Sequence, residues 1–63
     1  MAFWQATAGR TTFTVQPEMW TGQPRLWKCV HGSDPQVIDR GSFRQLVTQG
    51  KKKIEVIRNR SKS

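Results

Sequence analysis

Sixty-three residues with a formal net charge of +7 make one small domain, too short to bury a large core. A single cysteine and a single histidine exclude an internal disulfide and a complete zinc site, so no cofactor or metal is expected. No apolar run approaches the roughly 20 residues of a membrane span, and MAFWQATAGR lacks the basic-then-apolar build of a signal peptide. With a lone cysteine suited to a reducing compartment, the expectation is a soluble, cytoplasmic protein with no membrane partner.

In chain order, residues 3–8 (FWQATA) and 11–16 (TTFTVQ) are rich in aromatic, Thr and Val residues. Gly9-Arg10 between them allows a tight connection, which predicts a hairpin. Phe13 and Val15 share one face of the second run, the half-buried pattern. Residues 17–24 (PEMWTGQP) are bracketed by Pro17 and Pro24, which lack ladder donors, and read as a loop. Residues 25–31 (RLWKCVH) form the next strand, closed by the turn residues Gly32-Ser33-Asp34-Pro35. Residues 36–40 (QVIDR) fit either a short strand or an earlier helical turn, and the extended reading is preferred.

A helix is expected over 42–49. Ser42 with Gln45 has the capping-box pattern, Phe43, Leu46 and Val47 form one apolar stripe, and Gly50 stands where a left-handed terminal residue belongs. Residues 53–58 (KIEVIR) read as a final strand with Ile54 and Val56 on one face. The domain is thus 1–58, followed by a basic, flexible tail at 59–63.

The expected fold class is α+β: a small antiparallel sheet of about four strands covered by one short helix, in the order β-β-β-α-β. The alternative is a small all-β barrel of the SH3 or OB type. The expected core is Trp4, Phe13, Val15, Leu26, Val30, Phe43, Leu46, Val47, Ile54 and Val56. A domain this small also invites stabilisation by homo-oligomerisation or by a partner.

The charge is segregated. From Arg40 to the end there are eight basic residues and one acid, Glu55, whereas Met1 to Asp39 balances at zero. A clustered positive field attracts polyanions. Arg40, Arg44, Lys51, Lys52, Lys53, Arg58, Arg60 and Lys62 form a nearly continuous basic ridge for phosphates. The competing explanation, that such lysines only protect a sheet edge or add solubility, accounts for individual residues better than for the whole ridge. Arg25 and Trp20 are added as candidate base contacts, Trp20 because it sits in the Pro/Gly loop.

Arg25, Trp27 and His31 alternate along one face of their strand, and rings with guanidinium groups on a sheet can stack bases. The size of Trp27 favours the core for it and for Cys29, with Lys28 pointing out. Cys29 beside His31 reads as a small buried thiol, not as a nucleophile. Asp34 and Asp39 adjoin turns, and no glycine-rich phosphate loop is present. An enzyme is not expected.

The leading functional expectation is therefore a small non-enzymatic nucleic-acid-binding protein, for DNA or RNA, in a regulatory or accessory role. The rivals are a protein-interaction module docking on an acidic surface of a larger protein, and a small subunit of a larger assembly.

Overall fold

Gly9, at a φ of 60°, reverses the chain between the first two strands, β1 (Trp4–Ala8) and β2 (Thr11–Pro17). The computed structural model, which describes residues 3–61, continues with β3 (Pro24–Val30), β4 (Gln36–Arg40) and one helix, α1 (Phe43–Ser61). The strands form an antiparallel meander in the order β1-β2-β3-β4, and α1 packs on β1, β2 and β3. The α+β layering is as expected. The order is β-β-β-β-α, because 36–40 is a full strand and 53–58 is helical.

Strand alternation separates two faces. Trp4, Val15 and Leu26 are partners in one row, and Ala6, Phe13 and Lys28 in the next. These residues face the helix. Ala8, Phe13, Val15, Leu26, Leu46 and Ile54 are buried together, with Trp4, Ala6, Phe43, Val47 and Ile57 packed against them. Since Leu26 takes the inner face, period two sends Trp27 and Cys29 outward and Lys28 to the helix side, opposite to the assignment that burial statistics favoured. Val30 is half-buried, and Val56, expected in the core, is 51% exposed.

Pro17 and Pro24 belong to strands rather than to a loop: they are partners at the last rung of the β2–β3 ladder. The next pair bonds through Glu18 N–H to the Gln23 carbonyl at 2.9 Å. Because bonded and non-bonded rungs alternate in antiparallel pairs, the proline rung is one that needs no donors.

Ser42 caps α1, its hydroxyl accepting from the Gln45 amide at 3.2 Å while its carbonyl accepts from Leu46 N–H at 3.0 Å. The helix then runs through Gly50 instead of ending there. Gly50 is buried, and a β-carbon on it would come within 2.7 Å of Cη2 of Trp4. The glycine serves close approach, not termination. The apolar stripe continues as Ile54 and Ile57, the latter three residues after Ile54, in helical phase with Phe43, Leu46 and Val47. Alternation of Ile54 with Val56 suggested a strand, yet the partner that Ile54 uses is Ile57. Residues 59–61, expected as the start of a frayed tail, are in the helix.

The edge strand β4 carries a bulge. Leu26 pairs with Asp39 but Trp27 with Val37, so Ile38 has no partner. Ile38 lines a depression with Phe13, Lys53 and Ile57, and Asp39 Oδ2 accepts from Nε2 of Gln49 at 2.6 Å. Two consecutive residues of β4 therefore address the helix, which ties the sheet edge to α1.

Candidate functional site

The continuous helix changes the shape of the basic region. Lys51, Lys52, Lys53, Arg58 and Arg60 all lie on α1 and are all exposed, with Glu55 the one acid among them. At 100° per residue, Arg44, Lys51 and Arg58 recur every seven residues and form one row, successive members about 10.5 Å apart along the axis. Lys51 and Arg58, with Glu55 between them, line a depression against Trp4 and Ala6, on the β1 side. Lys53 and Arg60 form a second row, and Lys53 lines the opposite depression with Lys28 and Ile38, on the β4 side. Lys52 occupies the crown between the rows. The ridge expected from helix end to strand to tail is thus a half-cylinder of cations on the second half of one helix. Arg58 and Arg60 also lie in its last turn, where the helix dipole favours positive charge. Lys62 lies outside the described residues.

The remaining candidates sit away from the second half of α1. Arg40, at the end of β4, is the register partner of Arg25 on β3 and lines a depression with Asp39, Arg44 and Gln49 beside the first turns of the helix. Two arginines face each other across the strands, an arrangement that costs free energy unless an anion is near. Glu18 supplies one, pairing its Oε2 with Nη2 of Arg25. Nε of Arg25 is buried without a hydrogen-bond partner. Arg25 is therefore already engaged by a carboxylate and lies across the sheet from the helical cations.

Trp20 stands at the tip of the β2–β3 hairpin, 91% exposed, next to Met19 at 90%. The tip is built, not loose. Gly22, at a φ of 71°, bonds its N–H to the Glu18 carbonyl at 2.9 Å, and Thr21 Oγ1 donates to Glu18 Oε2 at 3.1 Å. Glu18 thus holds both the loop and Arg25. Trp4, Gly50, Asp39 and Gln49 place the middle of α1 over the row next to this end, so Trp20 and the basic half of the helix lie towards opposite ends of the sheet.

A further surface lies on the side of the sheet away from α1. The outer face of the sheet carries Trp27, half-buried, at the centre of a shallow depression of about 510 Å³ that also touches Phe3, Gln5, Thr14, Gln16 and Cys29. Arg10 and His31 flank it, lining an adjoining depression with Thr12 and Cys29. The alternation of Arg25, Trp27 and His31 was the signal for this face; the assignment of Trp27 to the core obscured it.

Among the described residues no three of His, Cys, Asp and Glu converge as a metal-binding group, and no helix is long and apolar enough to cross a membrane. No protein-family profile, no curated protein and no solved structure matches the chain.

Proposed function

We propose that this chain is a small non-enzymatic nucleic-acid-binding protein, in a regulatory or accessory role, that engages phosphates through the second half of α1. The observation that carries the reading is the density of exposed charge there: five cations against one carboxylate between Lys51 and Arg60. The total of +7 lies within the net charge of about 2–8 that serves a small domain's solubility, so it is the clustering on one half of one helix, not the amount of charge, that solvation leaves unexplained. Cations on both flanks and the crown suit a polyanion that contacts the helix along its length. Phosphate contacts of this kind position a protein without reading sequence.

The test is a tryptophan-fluorescence titration with duplex DNA, single-stranded DNA and RNA at two salt concentrations. Binding that is tight at low salt and weakens steeply with added salt supports the reading. Absence of binding to all three at low salt removes it. The second reading, docking on an acidic protein surface, would then stand in its place. It is favoured by the exposed Met19–Trp20 tip, because tryptophan is over-represented among residues that dominate interface energy.

A further inference from the structure

The outer face of the sheet has the composition of a base-binding surface. None of its strand residues is a carboxylate: Gln5, Thr12, Thr14 and Gln16 surround Trp27, with Phe3 at 58% exposure beside them. Amide and hydroxyl side chains can both donate and accept, which is what the edges of bases demand. Cations stand at both ends. Arg25, with Arg40 opposite it, lies at one, and Arg10 with His31 at the other. From the Arg25 rung to His31 is six residues of extended chain, about 20 Å. Glu18 pairs with Arg25, and the Asp39 carboxylate adjoins Arg40 and accepts from its backbone N–H at 2.7 Å, so a phosphate at this end competes with carboxylates and the Arg10 end offers the stronger cationic contact.

We infer that this outer face is a platform for single-stranded nucleic acid, on which a base stacks against Trp27 while Arg10 at one end and Arg25 at the other hold flanking phosphates. The inference rests on the nucleic-acid reading of α1 and adds the strandedness and the face. A ring half-sunk in a sheet reaches only a base whose own face is free, which a duplex does not offer. The platform and the helical cations lie on opposite sides of a body whose narrowest Cα extent is 17 Å. Lys51 and Arg58 flank the β1 edge, so a strand leaving the platform over that edge meets the first row of helical cations.

The test measures binding of labelled oligo(dT), oligo(U) and a short duplex by anisotropy, for the wild type and for Trp27→Ala, Trp27→Phe, Thr14→Glu and the Lys51/Lys52/Lys53 triple alanine variant. Trp27→Ala should weaken both single strands about five- to 150-fold, the range for loss of one stacked base, and leave the duplex unchanged. Trp27→Phe should retain most of the affinity. Thr14→Glu, which places a carboxylate on the platform without removing the ring, should weaken single strands alone, and it carries the test if circular dichroism shows Trp27→Ala unfolded. Cys29 shares the face and reports directly: saturating oligonucleotide should slow its alkylation, and saturating duplex should not. Unchanged single-strand affinity in the folded Trp27→Ala or Thr14→Glu variant overturns the platform, as does an alkylation rate indifferent to oligonucleotide. In either case a weakened triple-lysine variant leaves the helical reading standing. Wild-type protein that binds neither single strands nor duplex removes both. A shift from dimer to monomer in Trp27→Ala, with single-strand affinity intact, would assign the face to a second copy of the chain instead.

Discussion

Gly50 lies directly against the indole of Trp4, so close that a methyl group on it would meet Cη2 at 2.7 Å. This pair joins the middle of the helix to the first strand. A mid-helix glycine costs about 1 kcal/mol relative to alanine, so its presence reflects the ring packed on it. Gly50→Ala should destabilise the protein by about 1–3 kcal/mol, the usual cost of overpacking. In a Trp4→Ala background the same change should become stabilising, by up to about 1 kcal/mol, because only the helix-propensity term remains. Chemical denaturation of the four proteins in this cycle checks it, and a Gly50→Ala effect of the same sign in both backgrounds would show that the ring is not what the glycine accommodates.

Helical phase, not strand alternation, governs the last third of the chain. Leu46 and Ile54 are 1% and 3% exposed, and Val56 is 51% exposed. Leu46→Ala and Ile54→Ala should each cost about 2–5 kcal/mol, enough to unfold much of a domain this small. Val56→Ala should stay within about 0.5 kcal/mol, as substitutions at exposed sites usually do. Equal losses at Ile54 and Val56 in urea titrations would restore the strand.

Salt dependence tests the cationic half-cylinder. If the five cations between Lys51 and Arg60 each meet a duplex phosphate, log K against log salt should slope at about −4.5. Replacing Lys51, Lys52 and Lys53 together with alanine should reduce the slope by up to about three units, and the fold should persist because all three side chains are exposed. An unaltered slope would move the phosphate contacts off the helix.

Glu18 is the hinge pin of the hairpin tip, joined to Arg25 and to Thr21. Its side chain is only 26% exposed and that of Arg25 20%, so water screens the pair incompletely. Glu18→Gln, which leaves a largely buried guanidinium without its carboxylate, should therefore lower stability by more than the roughly 1 kcal/mol typical of exposed pairs. It should also leave Arg25 without its carboxylate partner, which raises affinity for an anion at that rung. Weaker single-strand binding in Glu18→Gln than in the wild type would count against a phosphate there.

Local chemistry in the sequence was sufficient for much of this fold. The Gly9-Arg10 reversal, the inward Phe13 and Val15, the Ser42 cap and the cluster of charge after Arg40 are each set by residues within a few positions of one another. What the chain alone could not settle were matters decided by distant partners. Gly50 reads as a helix end until Trp4, 46 residues earlier, is seen to fill the space where its side chain would be. Ile54 alternates with Val56 and spaces helically with Ile57, and packing on the sheet chooses between them: Ile54 is buried in the core with Ile57 packed against it, whereas Val56 is left 51% exposed. Trp27 and Leu26 both have the hydrophobicity for a core. Since neighbouring strand residues cannot share a face, the row of Trp4, Val15 and Leu26 claimed the inner side and left Trp27 on the outer one. Propensity and capping act through the nearest few residues, whereas face and helix length depend on which apolar surfaces the tertiary fold brings together.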